Sequence, residues 1–367
     1  MKGDIGPAWR APLLILAVLS LLIGIGAGLM RLGWTVPLPA GDAVLYHGPL
    51  MVCGFFGTVI GLERAVALRQ WWVYLGPLFS GVGGLFLLAA APPAWSATLM
   101  TVASCVFLAG SVQVFARQRA LFTFTLALGA ACWLAGNISW LAGRALWTAV
   151  PCWIGFLVLT IAGERLELSR FLPPSLLAKR LFAVILMGLI AGIALSAGEA
   201  APGPVLVSAV LLALSVWLLR QDIARRTVMQ QGLTRFIAVC LLAGYAWLAV
   251  GSGIALAAGG LAPGGPAYDA ALHAILLGFV FSMVFGHAPI IFPAVLRLPV
   301  PYTPFAYVPL AVLAASLTIR TAGAIQADAA WRSVGGLLNA LALALFLLGT
   351  VGTIVYGARK RGMPPAV

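Results

Sequence analysis

The chain has 367 residues, of which 62% are hydrophobic and only 8% are charged, and its net charge is +13. A soluble globular protein carries roughly 25% charged residues, because its surface must be solvated. The composition therefore excludes a soluble enzyme, a nucleic-acid-binding protein and a disordered protein.

Uncharged apolar segments follow one another along the chain with short connections. A membrane-spanning helix needs about 20 mainly apolar residues. Twelve segments of this kind lie near residues 11–30, 44–62, 73–92, 96–116, 121–143, 146–163, 181–198, 203–219, 236–258, 270–288, 304–319 and 334–357. We therefore predict an all-α, polytopic integral membrane protein that forms a single transmembrane domain over residues 1–367 and contacts the lipid bilayer.

The basic residues indicate the orientation of these segments. If the loops alternate between the two sides, 18 of the 22 Lys and Arg residues fall on the side of the N-terminus. The other side has only Arg31, Arg144, Arg320 and Arg332. Cytoplasmic loops are enriched in Lys and Arg, so we predict a bacterial-type inner-membrane protein with both termini in the cytoplasm.

A Gly-Phe pair recurs in the second, sixth and tenth segments, at residues 54–55, 155–156 and 278–279. Nine residues after each glycine come Glu63, Glu164 and His287, respectively. Because these segments are four apart, we predict three four-helix repeats, about residues 11–116, 121–219 and 236–357, in a pseudo-threefold arrangement. Chance similarity between Gly-rich apolar helices is the alternative.

All three histidines lie in the second and tenth segments. His47 and His273 each begin their segment near the outer face, shortly after Asp42 and Asp269. Two neutral imidazoles at one depth on neighbouring helices can supply both axial ligands of a haem iron. We predict one b-type haem at His47 and His273; the alternatives are a structural hydrogen-bonded pair and a proton or substrate pathway.

Small residues continue the face of the second helix that carries His47. At 100° per residue this face includes Met51, Gly54 and Gly61. Their size would leave room for a macrocycle, so they are candidate haem-contacting residues. The alternative is that the glycines let helices pack closely, as small residues do in membranes.

A candidate second metal site lies at the cytoplasmic side, where the repeat alignment puts Glu63, Glu164 and His287 at one level. Two carboxylates and an imidazole could bind a divalent metal ion or a proton, but an interfacial ion-pair cluster is the favoured alternative. His287 is 14 residues after His273, on the same face of an α-helix. Prolines after His287 predict a broken or kinked helix, which keeps a secondary transporter or channel as an alternative function.

The run from His47 to Met51, HGPLM, resembles the HGxxM signature of helix two in subunit I of the haem–copper oxidase and nitric oxide reductase superfamily. In that family this histidine ligates a low-spin haem, and helix ten supplies the second ligand. The tenth segment, from His273 to His287, is similar to a histidine helix of NnrS-type proteins, which are twelve-span membrane haem proteins tied to nitric oxide and denitrification.

This resemblance implies a low-spin haem site at His47 and His273. It also implies a role in electron transfer or in the response to nitric oxide, with a redox partner or a small gaseous ligand. The sixth segment has no histidine, so a haem–copper centre is not implied. A membrane accessory subunit without a site is the remaining alternative.

Overall fold

The computed structural model describes residues 4–37, 41–168 and 174–360. All regular structure in these residues is helical, and twelve helices are long and apolar enough to cross a membrane. They are α1 Pro7–Arg31, α2 Ala43–Leu68, α3 Trp71–Leu88, α4 Pro93–Arg117, α5 Leu121–Leu141, α6 Leu146–Leu168, α7 Leu176–Ala197, α8 Pro202–Gln221, α9 Gly232–Ala257, α10 Gly265–Leu296, α11 Pro304–Ile325 and α12 Ala329–Gly357. The predicted all-α architecture with twelve spans is confirmed.

Large apolar side chains remain exposed on these helices. Examples are Leu177 and Val184 on α7 and Leu348 on α12, which are 67%, 69% and 71% exposed. Extensive apolar surface is unfavourable in water, whereas a bilayer solvates it. The chain is therefore a multi-pass membrane protein whose exposed apolar side chains contact lipid.

The helices divide into two compact units. One unit runs to Phe156 and includes Pro293–Arg297, and the other comprises Leu157–Phe292 and the chain from Leu298 onwards. In the first unit, α1 packs on α2 and α3, α3 on α4, and α4 on α5. In the second unit, α7 to α10 pack as sequential neighbours, as do α10 to α12. The single domain with three four-helix repeats stays a prediction.

Asn137 joins the helices of the first unit through a buried polar network. Its amide nitrogen donates to the Met100 carbonyl at 2.8 Å and to the Ser104 hydroxyl at 3.2 Å, both on α4. Its amide oxygen accepts from Cys53 of α2 at 3.2 Å and from the Trp153 ring of α6 at 3.0 Å. Hydrogen bonds of this kind hold helices together in lipid, where apolar surfaces gain little from association.

Arg10 closes one end of the first unit. Its side chain is 2% exposed and donates to both carboxylate oxygens of Asp4, at 2.9 and 2.8 Å. It also donates to the carbonyls of Ile5 at 3.0 Å and Val295 at 2.9 Å. The Tyr74 hydroxyl donates to Asp4 at 2.6 Å. Burial raises the pKa of Asp4, but hydrogen bonds from Tyr74 and Arg10 outweigh it and leave that pKa below its usual value.

Two helices contain a π-helical segment, Leu50–Gly57 in α2 and Ala274–Phe281 in α10. In each segment the Gly-Phe pair occupies the fifth and sixth positions, at residues 54–55 and 278–279. The third pair, at residues 155–156, lies in α-helical backbone. In backbone conformation, α2 thus resembles α10 more closely than α6, although the sequences of the second and sixth segments match better.

Candidate functional site

His47 stands at the start of α2, three residues before its π-helical segment. Its Nδ1 lies 2.7 Å from the carbonyl oxygen of Gly24 in α1. Since a carbonyl only accepts, Nδ1 carries the proton and the lone pair of the neutral ring is on Nε2. A methyl group at Gly28 would lie 2.9 Å from the Cε1 atom of His47, so a glycine at that position lets α1 approach the ring.

His273 directly precedes the π-helical segment of α10 and belongs to a chain of three charged or polar side chains in the second unit. Its Nδ1 lies 2.7 Å from the carbonyl oxygen of Asp269 and 3.2 Å from the Oδ1 atom of the same residue. Arg320 of α11 donates to Asp269 from Nη2 at 3.0 and 3.1 Å and from Nε at 3.3 Å. The Arg320 side chain is 8% exposed. Asp269 therefore links the imidazole to a buried cation.

His287 makes the same backbone hydrogen bond as His273. Its Nδ1 donates to the Met283 carbonyl at 2.7 Å, one turn earlier in its own helix. The predicted common face of His273 and His287 assumed α-helical geometry, but eight of the intervening residues are π-helical and turn less than 100° each. That argument fails. The helix is not broken directly at His287, because α10 continues past Pro289 and Pro293 and ends at Leu296.

The face of α2 that was predicted to leave room for a macrocycle is occupied by other helices. A methyl group at Gly24 of α1 would lie 2.7 Å from the Met51 sulfur, and one at Gly54 would lie 2.7 Å from the Ser20 hydroxyl of α1. A methyl group at Gly61 would lie 3.3 Å from Pro77 of α3. This is the close helix packing that formed the alternative interpretation.

The second metal site has no structural support. Among the described residues, no group of three or more His, Cys, Asp or Glu side chains could hold a metal ion. Glu63, Glu164 and His287 are all within the described ranges. The described residues therefore do not form a metal site at Glu63, Glu164 and His287.

A buried ion pair in the second unit was missed by the sequence reasoning. Arg165 at the end of α6 donates to Asp222 from Nε at 2.7 Å and from Nη2 at 3.0 Å, and their side chains are 5% and 2% exposed. Asp222 also accepts from the Tyr245 hydroxyl and the Ala224 amide, each at 2.7 Å. From the sequence, Arg165 served as an orientation signal and, beside Glu164, as part of the alternative ion-pair cluster, but Asp222 was not identified as its partner. A chain with nine acidic residues offers few partners for a buried arginine.

These features define a class of protein: a polytopic α-helical membrane protein with ionisable side chains buried among its helices. The chain belongs to the family described as Domain of unknown function (DUF8744), whose model matches residues 10–355. No curated protein and no solved structure matches the chain.

Proposed function

We propose that this protein is an integral membrane haem protein that carries single electrons, with His47 and His273 as axial ligands of one b-type haem. The observation that carries the proposal is the fixed orientation of both imidazoles. Each Nδ1 atom is 2.7 Å from a carbonyl oxygen, and each histidine lies shortly before the π-helical segment of its helix. Histidines that ligate metals almost always donate their other ring N–H in this way.

The orientation of each imidazole supports its role as a ligand, whereas the small residues of α2 do not support a haem slot. Met51, Gly54 and Gly61 pack against α1 and α3, so the proposal gives them a packing role and no contact with the haem. A haem held by His47 and His273 would supply a one-electron carrier.

Because both imidazoles are proposed as ligands, we favour electron transfer with a redox partner over the response to nitric oxide. The secondary transporter is less well supported, because α10 is continuous past His287. We also propose that the protein lies in a bacterial-type inner membrane with both termini in the cytoplasm. The supporting observation is the division of 18 basic residues against 4 between the two sets of loops.

The test is the visible spectrum of protein purified in detergent from haem-replete cells, before and after reduction with dithionite. The expected result is a low-spin b-type spectrum with one haem per chain. His47→Ala and His273→Ala should each abolish or shift it, whereas His287→Ala, the matched control, should preserve it. A colourless wild-type protein would contradict the proposal, as would an unchanged spectrum in both ligand variants.

A further inference from the structure

Exposed basic side chains are concentrated at one end of two neighbouring helices of the second unit, α7 and α8. They occupy the start of α7, the end of α8 and the loop that follows α8. These residues are Lys179, Arg180, Arg220, Arg225 and Arg226, and we call them the basic cluster. All but one are arginines, whose guanidinium groups bind phosphate oxygens through two parallel N–H donors. This composition suits a ligand that carries a phosphate group.

Hydrogen bonds bring the parts of the basic cluster together. The Trp217 ring near the end of α8 donates to the carbonyl of Ala178, the residue before Lys179, at 2.9 Å. Arg225 donates from Nη1 to the Arg220 carbonyl at 2.7 Å, which folds the loop back on the end of α8. The cations of α7 therefore lie beside those of α8 and of its loop.

The acidic residue within this segment does not neutralise the basic cluster. Asp222 is buried and accepts two hydrogen bonds from Arg165, and its Oδ1 atom also accepts from the Ala224 amide, which orders the start of the loop. Glu164 and Glu167 near the end of α6 are half-buried. Within the described ranges, no carboxylate forms an ion pair with a member of the basic cluster. The exposed surface formed by these residues is therefore positively charged.

Exposed apolar side chains surround the basic cluster. On α7, Leu177 precedes Lys179 and Arg180 and Val184 follows them, and both apolar side chains are exposed. Met229 in the loop is 84% exposed. Such side chains are solvated by lipid, and the ends of membrane-spanning helices meet the headgroup region. A phospholipid can contact the cations with its phosphate and the apolar side chains with its acyl chains, whereas an acidic protein in the aqueous phase would match the cations alone.

We propose that the basic cluster binds the headgroups of anionic phospholipids, such as phosphatidylglycerol, in the leaflet that it faces. This inference goes beyond the proposed function and does not require a haem. Clusters of Lys and Arg next to membrane-spanning helices attract anionic lipids, and each cation near the surface strengthens the attraction by about fivefold. Removal of two cations should therefore weaken binding on the order of tenfold.

The experiment is a titration of detergent-purified protein with phosphatidylglycerol, or with phosphatidylcholine of the same acyl chains, in which native mass spectrometry counts the bound lipids. We expect tighter binding of phosphatidylglycerol. The double variant Arg180→Gln/Arg226→Gln should weaken that binding on the order of tenfold, whereas Arg180→Lys/Arg226→Lys should retain most of it because the charge is kept. Arg117→Gln/Arg119→Gln is the matched control, since it removes the same charge from two exposed arginines between α4 and α5 and should leave the affinity nearly unchanged.

Equal affinity of the wild-type protein for the two lipids would overturn the inference, as would equal losses in the cluster variant and the control. Competition by inorganic phosphate at the same concentration as phosphatidylglycerol would overturn it in favour of a free anion. Tighter binding of a polyglutamate peptide would overturn it in favour of an acidic protein partner. Thermal midpoints check the fold of both glutamine variants, whose four arginines are exposed and make no side-chain hydrogen bond to a described residue. A colourless protein that still selects phosphatidylglycerol would contradict the proposed function and support this inference.

Discussion

At the scale of single residues, some buried hydroxyl groups donate a hydrogen bond to a backbone carbonyl and others have no hydrogen-bond partner among the described residues. Ser80 of α3 donates to the Cys53 carbonyl at 2.7 Å, inside the π-helical segment of α2. The Ser96 hydroxyl of α4 is also buried and has no hydrogen-bond partner in the part of the chain that the structure describes. Both side chains are fully buried, so they differ mainly in this one bond.

We expect Ser80→Ala to lower the free energy of unfolding by about 1 kcal/mol, because it removes a buried hydrogen bond between two helices. Ser96→Ala should be neutral or slightly stabilising, because it removes a hydroxyl that is already unsatisfied. Unfolding in mixed detergent micelles measures both variants. Equal losses in the two variants would contradict this account.

Asp4 gives the protein a stabilisation that depends on pH. The pKa of Asp4 in the folded protein lies below its ordinary value of 3.8. The stabilisation is therefore present above about pH 4 and is lost as the pH falls through the folded pKa. The difference in thermal midpoint between wild type and Asp4→Asn should therefore be larger near roughly pH 7 than near roughly pH 3. A difference that stays constant across this range would show that the Asp4 charge does not contribute.

The contacts of His273 show how much of the site could be predicted at this scale. Asp269 precedes it by four residues, which is one helical turn, but the predicted span began at residue 270 and left Asp269 in a loop. Arg320 was likewise assigned to an outer loop, because the predicted span ended at residue 319. Both α10 and α11 extend beyond their uncharged apolar segments, because Asp269 and Arg320 pair with each other and can therefore lie within the helices.

At the scale of elements, the π-helical segments are the feature that no sequence pattern indicated. Both segments are continuous apolar runs, and such a run has the same composition whether its backbone is α- or π-helical. On the predicted histidine face of α2, a methyl group at Gly54 would meet α1, whereas one at Gly61 would meet α3. A turn of 100° per residue applies to an α-helix, so it does not predict which residues share a face across a π-helical segment.

The last residue of the first π-helical segment offers a direct test of helix packing. A methyl group at Gly57 would overlap the Trp133 ring of α5 and would lie 2.8 Å from the Ser80 hydroxyl. We expect Gly57→Ala to lower the free energy of unfolding by about 2 kcal/mol through overpacking. Gly253→Ala in α9 meets nothing within 4 Å and should instead stabilise the protein by up to about 1 kcal/mol. Denaturation of both variants in the same detergent measures the contrast, and a stabilised Gly57→Ala would contradict it.

At the scale of the whole molecule, the number and order of helices followed from composition because lipid permits few other solutions. Backbone polar groups must be satisfied within each spanning segment, so an apolar run of sufficient length becomes a helix. The division into two compact units could not be predicted in the same way. It depends on contacts such as that between Arg10 and Val295, which are distant in sequence.

The orientation predicted from the basic residues can be checked by reporter fusions. Green fluorescent protein at the C-terminus should fluoresce, and alkaline phosphatase at the same position should be inactive, because that end is expected in the cytoplasm. Alkaline phosphatase inserted at Gly143, between α5 and α6, should be active; a methyl group there would meet nothing within 4 Å, so the loop has space. The reverse pattern of activities would contradict the proposed orientation.

The bond between Arg10 and Val295 has a consequence for biosynthesis. Its partners are separated by 285 residues, and both belong to the unit that otherwise consists of the first half of the chain. At about 5–20 residues per second, α1 would wait roughly 15–60 s in the translocating machinery or membrane before the end of α10 is synthesised. The first unit therefore cannot be completed during translation of its own helices. A nascent chain stalled before Val295 would hold Arg10 without one of its acceptors, and such a chain would be a natural substrate for membrane quality control.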